Sequence, residues 1–264
     1  MAGCDNAAGI GAGIMRDFVI ATVVFVCLVA ASLISQWVYK WLPESQREED
    51  THQVVRSLAG LFVVMTSLVL GLMLNSAKTT FEMVDQNVHA FATDVILFDR
   101  TLLLYGPEAN DTRAGLLAYL KHATSDGRVS KPDEGDRVSE ELLNAVGRNL
   151  RAMTPKDAER IARWQGALSQ YHKIVERRWT IVEQSEGTIP LPMIVMLVAW
   201  LMLIFASVGY RAPRNAVTIS SFIGSAALIA AAIYLIIDMD APFSGPIQVS
   251  AKPLQRVVLE IQRP

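Results

Sequence analysis

Side chains able to do acid–base, nucleophilic or metal chemistry are present in this sequence, but not at the spacings such chemistry needs. The histidines His52, His89, His122 and His172 stand far apart, and no HExxH, paired CxxC or Gly-rich phosphate loop occurs. Cys4 and Cys27 are too few for a disulfide framework or a four-ligand zinc site. Cys27 lies in an apolar run and reads as a small hydrophobe. Asp133-Glu134 and Glu140-Glu141 read as a solvated face. Gly9, Gly11 and Gly13 precede an apolar run and follow no strand, so they imply no dinucleotide fold. An enzyme needs convergent polar groups in a cleft, and none assembles from these residues. The expectation is no enzyme, no cofactor and no metal. With 24 Lys and Arg against 26 Asp and Glu, no basic excess points to a nucleic-acid partner either.

Two patterns have other uses. Gly60, Ser67, Gly71, Asn75 and Lys78 are spaced 7, 4, 4 and 3 apart. At about 100° per helical residue they share an arc of about 80°. One reading is a close helix–helix contact, for which small residues leave room. The other is the lining of a pore: small residues leave space, Ser67 and Asn75 offer dipoles, and Lys78 attracts anions at the mouth. Ser221, Gly224, Ser225 and Ala232 form a similar small-residue face and read as packing. The second pattern is Asp238-Met239-Asp240-Ala241-Pro242-Phe243-Ser244-Gly245-Pro246, whose Asp, Pro and Gly density demands a turn. Its site residues, Asp238, Asp240, Pro242, Phe243 and Gly245, read as a membrane-exit motif. Two carboxylates fall short of the six to eight oxygens of a calcium site.

The elements that carry these patterns are membrane helices. Phe18–Val38, Ser57–Leu74, Leu191–Tyr210 and Ala216–Ile237 contain no Asp, Glu, Lys or Arg. Each is close to the ~20 apolar residues that cross a bilayer, and a lipid-embedded backbone must satisfy its own hydrogen bonds as helix. Trp37, Tyr39 and Trp41 fit an interfacial belt. Residues 76–188 hold 15 of the Lys and Arg and 17 of the Asp and Glu, so the chain divides into a tail at 1–17, two spans within 18–75, an extramembrane region at 76–188, two spans within 189–237 and a tail at 238–264. The short loops 39–56 and 211–215 carry Lys40, Arg47, Arg56, Arg211 and Arg214. Positive residues favour the cytoplasm, which puts the 76–188 region and both termini outside, although Arg177 and Arg178 argue the other way.

That region is expected to be a helical stalk. Phe81, Val84, Val88, Phe91, Val95, Phe98 and Leu102 alternate spacings of 3 and 4, a coiled-coil-like seam. No Gly or Pro interrupts Asn75–Tyr105, so the second span continues as one rod until Gly106-Pro107 stops it. Asp111 is placed to cap a helix with Leu116, Leu117 and Leu120. A polar loop is expected over 124–137, and then a helix with Leu142, Leu143, Val146 and Leu150. Thr154-Pro155-Lys156-Asp157 reads as a start signal, with Thr154 as cap and Pro155 first in the helix. The helix that follows carries a second seam: Ile161, Trp164, Leu168, Tyr171, Val175 and Val182. Arg178 occupies a seam position, either reaching out to water or paired with Asp94, Asp99 or Glu176. No segment reads as strand. Leu254, Val257, Val258 and Ile261 form a closing amphipathic stripe that lies on the bilayer or packs on the stalk. The fold class is an all-α membrane protein: four transmembrane helices with a stalk between the second and third.

Several stretches together resemble the bestrophin-like membrane domain proteins of bacteria, a family classed as a domain of unknown function. They are LVLGLMLNSAKTTFE at 68–82, ILFDRTLLLYGPEA at 96–109, RRWTIVEQSEGTIPLP at 177–192, WLMLIFASVGYRAPRNA at 200–216 and LIIDMDAPFSGPIQVSAKPL at 235–254. The family's closing motif resembles Leu-Asp-Arg-Pro-Phe-x-Gly; here Ala241 stands where the basic residue is usual. The resemblance implies a multi-pass protein of the bacterial inner membrane. By analogy with true bestrophins, which are pentameric chloride channels, it implies a homo-oligomer, pentameric on that analogy, with small anions such as chloride as partners. No acidic run follows Pro242, so calcium gating is not carried over. The leading expectation is an oligomeric anion channel lined by the second helix. The alternative is a non-conducting membrane signalling or scaffold protein that works through its stalk.

Overall fold

A computed structural model describes all residues except 1–3, 39–40, 42–48, 126–133, 185–186, 188, 211, 214, 244–245 and 264. The described residues are mostly helical, with no strand among them. The helices are α1 (Cys4–Val38), α2 (Glu49–Tyr105), α3 (Asn110–Ser125), α4 (Glu134–Ala152), α5 (Ala158–Glu183), α6 (Leu191–Gly209), α7 (Ala216–Asp240) and α8 (Lys252–Ile261). The chain forms two compact units: Met1–Thr79 with Gly187–Ile247, and Thr80–Glu186 with Gln248–Pro264.

The first unit holds helices long and apolar enough to cross a membrane: Met15–Val38 of α1, Leu191–Gly209 and Ala216–Asp240, with the apolar start of α2. Its core joins Val24 and Leu28 to Met73 and Ala77, to Leu197, Leu201 and Phe205, and to Ala226, Ala230 and Ile233. In lipid, close packing rather than escape from water holds such helices together. The sequence provides for it at Gly209, where a side chain would collide with the Ser32 backbone, and at Ser35, whose hydroxyl donates to the Ala206 carbonyl. Asn215 caps α7, its Oδ1 accepting from the Thr218 N–H at 2.8 Å.

The second unit is a helical bundle. From Thr80 onward α2 buries Val84, Val88, Phe91, Val95, Phe98 and Leu102, while Phe81 is half-buried. Phe91 meets Tyr119 edge-on at 6.5 Å between ring centroids, and Phe98 meets Tyr171 at 6.4 Å. The rod stops at Gly106, whose φ of 111° and ψ of -165° suit glycine alone. Pro107 then opens a 3-10 turn through Ala109. The stripe on α8 packs within this unit: Leu254, Val257 and Ile261 are buried, and Glu260 accepts from Arg100 at 2.8 Å.

Several expectations need correction here. α3 begins at Asn110, so Asp111 lies inside its first turn, complementing the helix dipole rather than capping. Residues 124–125 and 134–137 are helical, and the rest of the expected loop lies outside the described residues. α5 starts after Asp157, not Thr154. Asp157 is extended and its carbonyl takes the first helical bond from Ile161, which leaves Thr154 and Pro155 in the link from α4. The buried line of α5 is Ala167, Tyr171, Ile174, Arg178 and Ile181; Ile161 is exposed, and Trp164, Leu168, Val175 and Val182 are half-buried flanks. The apolar residues there occupy a wide stripe, and its centre is set by the neighbour it packs on. Arg178 is 2% exposed, so it does not reach out to water. Of the acids proposed for it, Asp94 accepts from Arg177 at 2.8 Å, and Asp99 from Arg113 at 2.7 Å. The Arg178 guanidinium lies over the Trp179 ring, 5.3 Å from its centroid.

Candidate functional site

The residue stripe of α2 lies outside the core. Gly60, Ser67, Gly71, Asn75 and Lys78 are all exposed, and a β-carbon at Gly60 or Gly71 would meet nothing within 4 Å. The Ser67 hydroxyl turns back to the Val63 carbonyl at 2.8 Å. Within one chain, therefore, this stripe is not a helix–helix contact. The small residues of α7 differ from expectation in the same way: Ser221, Gly224, Ser225 and Ala232 are exposed, while α7 packs through Ala226, Ala230, Ile233 and Ile236.

Over its apolar part α2 has three faces. Ala59, Thr66, Met73 and Ala77 are buried. Leu58, Leu61, Met65, Leu68 and Leu72 form an exposed apolar face of the kind lipid covers. The stripe lies between, roughly 130° from the buried line and roughly 110° from the centre of the apolar face. Val64 is a large apolar residue within it. Alternation of bulky and small residues along α2 thus sorts them into a side for the protein, a side for lipid and a third suited to neither.

The exit motif is built from inward carboxylates. Asp238 and Asp240 are buried, as is Pro242, and Phe243 is half-buried. Asp238 Oδ2 accepts from the Ile247 N–H at 3.0 Å, and Asp240 Oδ2 from the Ile189 N–H at 3.0 Å. These bonds fasten the end of α7 to the segment after it and to the start of α6. Gly187 fits under Asp240, since a β-carbon there would lie 2.6 Å from Asp240 Oδ2. Gly245 lies outside the described residues. Arg16, Ile20, Gly187, Ile189, Leu191, Ile194, Ile237, Asp240 and Ala241 line a cavity of about 400 Å³ beside the motif. Sequence reading missed Asp17, which is buried in the same unit. A carboxylate one step from an apolar run was the available signal.

A family model described as bestrophin-like domain matches residues 26–254. The chain belongs to the bestrophin-like family. No curated protein matches it. The bestrophin-like domain takes in the C-terminal part of α1, all of α2 through α7, the exit motif and the first turn of α8. The protein is a multi-pass membrane protein.

Proposed function

We propose that this bestrophin-like protein assembles as a homo-oligomer and conducts small anions along the exposed stripe of α2. The observation that carries the reading is the third face of that helix. Gly60, Ser67, Gly71 and Asn75 are neither packed in the chain nor apolar enough to suit lipid. Water between copies satisfies such a face, and several copies of α2 around one axis would enclose it. Lys78, one turn beyond Asn75, supplies positive charge where an anion would enter. The second unit, with its buried α2 line and its α8 stripe, holds the long helix in register as the stalk. We place that stalk and both termini outside the cytoplasm, on the positive short loops.

The test is substituted-cysteine labelling in a variant lacking Cys4 and Cys27. Ser67→Cys should react with a charged, water-soluble thiol reagent and lose conductance on reaction. Leu72→Cys, on the apolar face, should stay unreacted. Equal protection of both positions in a conducting protein would remove α2 from the pore. A folded oligomer with no anion flux would favour the scaffold reading.

A further inference from the structure

The cavity beside the exit motif lies where three membrane spans end. Arg16 stands at the start of Met15–Val38, Leu191 opens Leu191–Gly209 and Asp240 closes Ala216–Asp240, and all three line this space of about 400 Å³. Ile20, Ile194 and Ile237 line it as well, three or four residues inside those ends. That is about one helical turn, ~5 Å, further into the membrane. The cavity thus runs from a charged rim at the membrane surface to an aliphatic floor.

Neither water nor a bare hydrocarbon chain suits such a space. Water leaves the isoleucines against a polar solvent, and a hydrocarbon chain strands the charges of the rim. An amphiphile meets both ends. The cation of the rim is Arg16, whose side chain is 70% exposed. Its bond to Asp17 Oδ1 at 3.3 Å runs through Nε, and its two amino nitrogens bond nothing among the described residues. The anion of the rim is Asp240, which is 6% exposed and accepts from the Ile189 N–H through Oδ2 at 3.0 Å. A carboxylate has room for further donors.

We propose that this cavity binds the headgroup end of a phosphatidylethanolamine lipid. The phosphate bonds Arg16, a pairing that guanidinium geometry favours. The ammonium turns toward Asp240, and the start of an acyl chain covers Ile20, Ile194 and Ile237. The charge balance selects the headgroup. Asp17 and Asp240 set two carboxylates against one guanidinium, so a headgroup with net negative charge meets a rim of the same sign. Ethanolamine brings its own cation. Choline also brings one, but it has no N–H to give to a carboxylate.

The experiment supplies the full-length protein in detergent with phosphatidylethanolamine, phosphatidylcholine or phosphatidylglycerol of identical chains. Native mass spectrometry counts the lipid retained per chain, with thermal unfolding measured beside it. The parent should hold phosphatidylethanolamine about tenfold better than phosphatidylcholine, the worth of one hydrogen bond to a charged group. It should also unfold at a higher temperature with that lipid. Asp240→Asn should lose the preference, and Arg16→Gln should retain all three lipids more weakly. Equal retention of phosphatidylethanolamine and phosphatidylcholine by the parent overturns the proposal, even if neither variant folds. Stronger retention of phosphatidylglycerol does so too. So does equal stabilisation by inorganic phosphate alone, because a free anion would then be the occupant. A preference unchanged in both variants places the lipid elsewhere and also overturns it.

Discussion

Gly209 of α6 lies so close to Ser32 of α1 that a β-carbon at 209 would stand 2.7 Å from the Ser32 carbonyl oxygen. That oxygen belongs to helical backbone and cannot swing away. Gly209→Leu should therefore push α1 from α6 and cost about 1–3 kcal/mol by overpacking. Gly224→Leu, where a β-carbon meets nothing within 4 Å, should leave monomer stability unchanged. Thermal unfolding of both variants in detergent checks the contrast. Equal losses would mean that α1 and α6 are not packed at Gly209.

The bidentate pair of Arg113 with Asp99, at 2.7 and 3.3 Å, is the second test. The Asp99 side chain is 6% exposed, so the Arg113 guanidinium stands in for the water it has lost. Arg113→Met leaves that carboxylate buried and alone and should cost about 3–5 kcal/mol. Adding Asp99→Asn should recover part of the loss. A double variant as unstable as the single would argue that Arg113 acts by packing.

Tyr171 gives a pH dependence. Its hydroxyl donates to the Leu143 carbonyl at 3.2 Å, and its ring lies against Gly147. Burial pushes its pKa above the usual tyrosine value, against the opposing pull of Arg151 and Arg148. The unfolded chain then releases this proton at lower pH than the folded one. The contribution of Tyr171 is complete below about pH 10, the unfolded value, and falls as pH rises through the folded value. Tyr171→Phe should cost about 1 kcal/mol at neutral pH and should flatten the alkaline decline. An alkaline limb unchanged in Tyr171→Phe would assign it to another group.

Orientation is tested at Lys121, an exposed residue of α3. In a protein lacking Cys4 and Cys27, Lys121→Cys should react with an impermeant thiol reagent in intact cells. Reaction only after lysis would put the stalk in the cytoplasm.

The all-α membrane fold was legible because its determinants are local. Uncharged runs, the uninterrupted stretch up to Tyr105 and the Gly106 stop are written in consecutive residues. The buried line Val84–Leu102 was legible for the same reason: spacings of 3 and 4 mark one helix face. What failed depended on partners distant in sequence. On α5, Tyr171 was found and Ile174 missed, because both edges of its stripe are apolar and the choice lies with the neighbouring helices. Arg178 was read as reaching out to water or pairing with Asp94, Asp99 or Glu176; it is buried, and it is adjacent Arg177, about 100° around the helix, that bonds Asp94. The α2 stripe could be read as a face, but that it lies outside the core could not. Asp17 was passed over because a lone acid before an apolar run looks like a flank until helix packing buries it.

The central claim is that copies of α2 line an anion path, and anion flux from liposomes holding the purified protein tests it most directly. The parent should release chloride. Lys78→Glu should lower chloride flux and raise relative cation permeability, since at ~8 Å and an effective dielectric of ~20 each charge contributes ~2 kcal/mol before salt screening. Well-folded, oligomeric parent protein that releases no anion would contradict the account.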